Sequence, residues 1–559
     1  MKVSASAVLV AAAAFAVVPE VLASSLSSAS SSSIPGTVQF DIVRQKVPAG
    51  HDVPFNARHR RRVRSRRDNV KNTVEQLLDN SLALYYANVS LGTPPQSLRL
   101  QIDTGSSDVW VQSGENEVCQ ESSDPCAESG IFEPDQSSTF DDVSPGLFSI
   151  RYGDYSYAKG DYATDTFHIG GVSVKNLTVG VATDANATQG IMGIGYSSNE
   201  AIVSQQGSSS QYSNLPDLLV AQGFIQTRAY SLWLNDLQAS TGSILFGGID
   251  TKKFTGDLVT VPILKYTGEE TPSEFYVSLT GLSLTDDNEQ TTLTTSENAV
   301  LLDSGTSFIY LPSAIQRGIA SAVGAKYNSQ LGFYVESCSV QNVSASVDFE
   351  FEGVTIKVPM SEIFYPAIST DGTQITFTNG EDVCLLSVLP DTDIGVSILG
   401  DTFLRSAYVV YDLDNEEIGL AQTVFDSEDS NIVAISSSIP SASAASETAS
   451  ATLSVPASSA TGDNTGSNDF TESLFTGSVT EKDSTTTSTS TSSRSRSATA
   501  AGTTTTTTSQ TSRTATSSSS TSTSTSGSGS NSSSAASSLV INSVFGSFAV
   551  IVMIAWNSM

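Results

Sequence analysis

The sequence predicts an all-β protein built as two related lobes, and three observations carry that expectation. Short β-branched or aromatic runs recur from Leu82 onward, separated by Gly, Pro, Asn and Asp, as in YYANVSLGTPPQSLRLQID and FYVSLTGLSLTDDNEQ; such spacing is that of strands joined by hairpins. Two stretches echo each other, Leu98–Trp110 (LRLQIDTGSSDVW) and Ala299–Tyr310 (AVLLDSGTSFIY). Each is followed by a matching apolar, glycine-containing segment, GIMGIGY at Gly190–Tyr196 and SILGD at Ser397–Asp401.

Helical patterns are few. Leu215–Gln222 (LPDLLVAQ) and Pro312–Val323 (PSAIQRGIASAV) are the candidates, each with a proline near its start, where a missing N–H costs nothing. The first lobe is expected over residues 68–260 and the second over 261–427, with the junction after FGGID at Phe246–Asp250.

In both echoing stretches an apolar strand drives into Asp-Thr/Ser-Gly, so one carboxylate is presented per repeat on a tight glycine corner. Asp103 and Asp303 lie 303−103 = 200 residues apart. A single Asp-x-Gly is a common surface turn, whereas the doublet is the pattern of a duplicated domain whose halves face each other across a cleft.

Together with YYANVSLGTPPQ, DTGSSDVWV, YGD, FGGID, LLDSGTS and SILGDTFLRSAYVVYDLDNEEIGLA in that order, these motifs resemble the pepsin-like aspartic proteases. Within them the chain resembles the fungal, GPI-anchored yapsin-like branch, over roughly Leu82 to Val424. The resemblance implies a bilobal pepsin-like fold and an aspartic endopeptidase with Asp103 and Asp303 as the catalytic pair, needing no cofactor and no metal. Gly105 and Gly305 lack Cβ, so backbone N–H groups can approach each carboxylate. The resemblance further makes Ser106 and Thr306 hydroxyl donors to the outer carboxylate oxygens and Thr104 a brace between lobes; Ser304 stands where many relatives have Thr, and offers the same hydroxyl. It makes Tyr152, in FSIRYGDYSYAKGD, the tyrosine of a flap over the cleft, with Gly153 giving the hairpin its flexibility and Trp110 receiving its hydrogen bond. Asp154 stands where many digestive relatives have Ser or Thr. An acid there attracts Lys or Arg, so peptide or protein substrates with basic, preferably paired, cleavage sites are expected.

Composition narrows the chemistry. Three histidines occur in the whole chain and only His168, in the strand-like FHIG, follows residue 67. Serine and cysteine hydrolases need a His base, and zinc hydrolases several His ligands, so those classes are disfavoured. The net charge is −31. Residues 1–67 hold 10 of 27 basic and 3 of 58 acidic residues, leaving (27−10) − (58−3) = −38 on the rest; such a body repels nucleic acid and suits acidic surroundings. Four cysteines, Cys119, Cys126, Cys338 and Cys384, fall as one couple per lobe. In a secreted chain they read as two disulfides, which the resemblance pairs in the same way; four free thiols would need a reducing compartment that the N-terminus argues against.

The ends are not globular. Residues 1–23 carry a short Ala/Val-rich core ending Val21-Leu22-Ala23, a secretory signal peptide. Residues 24–67 close with RHRRRVRSRRD; in a secreted chain this is a basic propeptide, cut after Arg66-Arg67 by a kexin-like processing protease. The propeptide is expected to lie against the acidic body with Lys46 or an arginine near the acid pair. Residues 428–531 are Ser/Thr-rich and read as a disordered, O-glycosylated stalk. Residues 532–559 contain the apolar run Leu539–Trp556 with no Lys or Arg after it, the arrangement of a GPI-attachment signal removed on maturation, with Asn531 or Gly529 as the attachment residue. Sequons at Asn176, Asn186 and Asn342 are N-glycosylation candidates, and Asn88, inside an expected strand, is the weakest. The expected product is a monomer held by a GPI lipid at the plasma membrane or cell wall. The competing reading is an adhesin-like scaffold, anchored in the wall, that kept the fold and lost turnover.

Overall fold

Alternation along the chain sets the strands. In Val74–Asn80 the side chains of Val74, Gln76 and Leu78 are buried while those between face outward, the period-two pattern of a half-covered sheet. The computed structural model describes residues 71–80, 84–287, 289–369, 373–445 and 453. The signal peptide, the propeptide with Arg66 and Arg67, most of the stalk, and Gly529 and Asn531 with the apolar tail lie outside the described residues.

The architecture is all-β and bilobal. Among the described residues, the largest sheet has fourteen strands. At its centre the strands Phe254–Pro262, Glu417–Thr423, Ala407–Asp412, Ala229–Trp233, Thr241–Phe246 and Val74–Asn80 lie side by side in that order, so late strands of the second half are threaded beside strands of the first. The expected 260/261 junction falls inside Phe254–Pro262: the chain passes between lobes as a strand of a shared sheet, not through a linker. The second half adds a five-stranded sheet and two four-stranded sheets. Helices are short; Leu215–Ala221 and Ser313–Ala322 form where proline-led apolar patterns predict them, and Ala201–Gln206 is a further one.

The two halves are wired alike around their acids. Gln96–Asp103 runs parallel to Ile191–Gly193, which pairs antiparallel with Val109–Gln112, itself parallel to Val172–Ala185. Asn298–Leu302 likewise runs parallel to Ile398–Leu399, which pairs antiparallel with Ile309–Leu311, itself parallel to Val388–Pro390. Glycine is needed where the crossing strand touches the acid-bearing loop: a Cβ on Gly193 would lie 2.7 Å from Asp108 backbone atoms, and one on Gly400 only 2.2 Å from the Thr306 carbonyl. That close approach explains why GIMG and SILG accompany the two Asp turns.

Disulfides join Cys119 to Cys126 and Cys338 to Cys384. The body runs further than the 427 boundary expected from composition. Ile432–Ala434 pairs with Gly248–Asp250, and Ser443–Ala444 pairs with Phe254–Pro262. Ile435 and Ile439 are buried against Trp233, Leu258 and Tyr408. Their apolar side chains, spaced through a Ser-rich background, supply the buried area that the composition of the segment as a whole obscures. Leu453 forms an isolated parallel bridge to Tyr266.

Candidate active site

Each acid sits at the C-terminal end of an apolar strand, where the chain must leave the ladder and turn. Asp103, Ser304, Ser106, Thr306 and Asp303 are all fully buried, and Thr104 is 2% exposed. The two turns meet through their middle residues. Thr104 Oγ1 donates to the Leu302 carbonyl at 2.9 Å and accepts from Ser304 N at 2.9 Å. Ser304 Oγ reciprocates, accepting from Thr104 N at 3.2 Å and donating to the Ile102 carbonyl at 3.3 Å. Four bonds across the seam thus fix one Asp relative to the other.

Each carboxylate is then held by its own turn. Gly105 N donates to Asp103 Oδ1 at 2.9 Å and Gly305 N to Asp303 Oδ1 at 2.8 Å. Ser106 Oγ donates to Asp103 Oδ2, and Thr306 Oγ1 to Asp303 Oδ2 at 2.6 Å. Gly105 N is shared: it also reaches Asp303 Oδ1 at 3.1 Å, which places the inner oxygens of both acids around one N–H. A hydrogen bond links the two carboxyl groups.

Burial is the main force on both acids, and it lifts their pKa values above the ordinary carboxylate range. The charge of Asp303 lifts Asp103 further, while Ser106 and Gly105 pull it back. Two carboxylates this close do not both ionise at acid pH, and the pair retains one proton between them.

Tyr152 lies between the strands Asp141–Arg151 and Tyr157–Ile169, which form a hairpin over this seam. Its ring is 2% exposed, its hydroxyl accepts from Trp110 Nε1 at 2.8 Å, and it is hydrogen-bonded to Ser106. Burial, then the nearby Asp103 charge, raises the phenol pKa, so the group stays protonated. Tyr155, at the tip of the hairpin, takes the left-handed conformation with φ of 69°. Asp154 Oδ1 accepts from Ser156 N at 2.8 Å, a side-chain turn that supports the tip.

The remaining sequence-derived positions are dispersed. Asn176, Asn186 and Asn342 are exposed. Asn88 is also exposed, within Tyr85–Leu91, and its Nδ2 donates to Asp79 Oδ2 at 2.7 Å. His168 pairs through its ring with Ser173 and the Gly92 carbonyl. Sequence reasoning missed a buried acid group behind the flap. Asp108 accepts from Tyr162 and Tyr212 hydroxyls at 2.7 and 2.8 Å and from Ala201 N at 2.8 Å. Beside it Glu200, fully buried, is pushed up to about 10, chiefly by burial. Asp108 stands in DTGSSD in plain view; nothing local marks Glu200, whose setting is made by Tyr212 folding back onto it.

Two like-wired β lobes, each giving one buried carboxylate to a common seam, define the class of two-lobed aspartic hydrolases. The sequence model of the eukaryotic aspartyl protease family matches residues 84–423; the chain belongs to that family and is an aspartic-type endopeptidase. It is 43% identical over 407 residues to the probable aspartic-type endopeptidase opsB of Aspergillus oryzae, covering 72% of this chain and 79% of that protein. It is also 38% identical over 376 residues to the aspartic proteinase yapsin-3 of Saccharomyces cerevisiae (66% and 71% covered). Against the aspartic proteinase MKC7 of the same yeast, identity is 33% over 428 residues (65% and 70%).

Proposed function

We propose that Asp103 and Asp303 activate one water for peptide hydrolysis, in an endopeptidase secreted, activated by propeptide removal and held at the cell surface. The observation that carries this is the shared Gly105 N–H, which draws the inner oxygens of both buried acids to one point. The ionised carboxyl takes a proton from the water as its oxygen attacks the carbonyl carbon, and the protonated one gives its proton to the carbonyl oxygen. As the tetrahedral gem-diol collapses, the protonated carboxyl gives its proton to the departing nitrogen, the C–N bond breaks, and one gem-diol hydroxyl gives its proton to the ionised carboxyl as the C=O re-forms, so the dyad again holds one proton. Thr104 and Ser304 hold the acids in register, Ser106 and Thr306 hold their outer oxygens, and Tyr152 closes over the first acid.

Asp154, half-buried at the flap tip, is the reason to expect preference for Lys or Arg beside the scissile bond; its second oxygen is available to a cation while the first supports the turn. The leader, the Arg66-Arg67 cut by a kexin-like protease, the glycosylated stalk and the GPI signal at Asn531 or Gly529 support a surface location. Asn176, Asn186 and Asn342 are accessible for glycosylation, and the enzyme acts as a monomer.

A dibasic peptide digested near pH 4–6, a window set by coupled carboxylates, tests the reading. Cleavage is expected in the wild type and is lost with pepstatin or in Asp103→Asn. Absence of cleavage under every condition would return the scaffold reading. In Asp154→Ser the ratio of cleavage at Lys/Arg to cleavage at Leu/Phe is expected to fall, and an unchanged ratio removes the role given to Asp154.

A further inference from the structure

The strand Tyr276–Leu279 pairs antiparallel with Asn298–Leu302, setting Tyr276 opposite Leu301, and Leu302 N donates to the Phe275 carbonyl at 3.2 Å. Glu274 and Asp303 are each the next residue beyond that contact, where the chain leaves the two strands, and the Asp303 charge acts on the Glu274 carboxyl. Its position is fixed: Tyr266 Oη donates to Glu274 Oε2 at 2.7 Å, and Tyr266 is in turn hydrogen-bonded to Tyr276, whose ring it meets edge-on at 6.1 Å.

Glu274 is half-buried, and among the described residues the groups that act on it include no cation. The groups acting on it are the Tyr266 hydroxyl and the negative charges of Asp303 and Glu269. Lys265, in the same loop, is taken by Glu416 at 2.6 Å and by the Glu270 carbonyl. Glu269 and Glu270 are exposed and add negative potential at the rim. A carboxylate held by one hydroxyl, beside a reacting group and without a basic partner, is a built receptor for a positive charge brought by a ligand.

We propose that Glu274 is a specificity-determining residue that receives a Lys or Arg side chain flanking the scissile bond, from the second lobe, as Asp154 does from the flap. The inference rests on the aspartic-protease reading and its basic preference, and gives that preference a second determinant. Burial first, then Asp303 and Glu269, push Glu274 up to about 7. The free side chain is therefore largely neutral at pH 4–5, and a bound cation favours its ionised form. Selectivity for basic side chains must rise as pH rises toward 7, independently of the dyad, whose own titration cancels in a ratio of substrates.

The test uses matched peptides carrying Lys or its uncharged isostere norleucine at each of the two positions on either side of the cleaved bond. The kcat/KM ratio is read between pH 4 and 7 for the active enzyme, Glu274→Gln, Tyr266→Phe and Asp154→Ser. At one position the wild-type Lys/norleucine ratio is expected to climb with pH, to drop about tenfold or more in Glu274→Gln, as a lost charge-assisted contact would give, and to lose its pH slope there. Tyr266→Phe, which frees the carboxylate without removing it, is expected to fall between. A ratio in Glu274→Gln equal to wild type at every position overturns the proposal, as does a proportional loss on both peptides. A wild-type ratio near one everywhere instead removes the basic preference itself. A preference lost in Asp154→Ser yet kept in Glu274→Gln overturns this inference alone.

Discussion

The two acid turns share a plan and differ in what surrounds them. In both, a strand ends in Asp, a glycine N–H and a hydroxyl three residues on hold the carboxylate, and a parallel strand with an obligatory glycine crosses behind. Five residues after the acid the halves part: the first has Asp108, buried among Tyr162, Tyr212 and the start of a helix, and the second has Phe308, packed edge-on against Phe333 and Tyr365. The first turn is roofed by the Tyr152 hairpin, whereas Glu274 lies near enough to the second for the Asp303 charge to act on it. The common plan repeats in both halves and the departures specialise each, since the first lobe covers its acid with a hairpin while the second sets a further carboxyl near its own.

If the pair acts as a unit, Asp103→Asn and Asp303→Asn are expected to lower kcat/KM by about a thousandfold or more each, and the double variant by little beyond either alone. Additive losses would break the equivalence of the two acids. The brace across the seam is the next largest effect. Thr104→Val keeps the shape but strands the buried Ser304 N–H, and an unpaired buried donor costs about 1–3 kcal/mol; Ser304→Ala is expected to cost a similar amount in urea denaturation. Because both remove parts of one network, the double variant should cost less than the sum. Unequal single costs would show that one lobe carries the seam.

The buried acids behind the flap bear on pH. Glu200 holds its proton to about 10 in the folded chain and releases it near 4.5 when unfolded. Over that window the unfolded state binds fewer protons, so stability is greatest at acid pH and falls as pH rises, by up to about 1.4 kcal/mol per unit. Glu200→Gln is expected to flatten the decline in Tm between pH 5 and 8, and an unchanged slope would assign the decline elsewhere. Smallest of all, Tyr152→Phe leaves Trp110 Nε1 without its acceptor and should reduce kcat/KM about fivefold to tenfold, the value of one buried hydrogen bond.

Much of this was legible in the chain. Asp103, Asp303, their glycines and their hydroxyl partners are local: the residue types that make a strand end in a tight, Cβ-free corner also make a carboxylate receptor, so three or four letters carry both signals. The segment 428–445 was obscured because two isoleucines, Ile435 and Ile439, decide its fate within a Ser-rich run. Tyr155 takes the left-handed position at the flap tip, where Asp154 accepts from Ser156 N, a contact invisible to propensity.

By itself the sequence determined an all-β duplication, the identity of both acids and the groups touching each, because those depend on neighbours in the chain. Tertiary structure alone decided that one N–H serves both carboxylates, that a second-half strand pair lies within the first lobe's sheet, and that Glu200 and Glu274 are charged with difficulty. Those properties arise from which distant segments exclude water from a group, and solvent exclusion is a fact of packing.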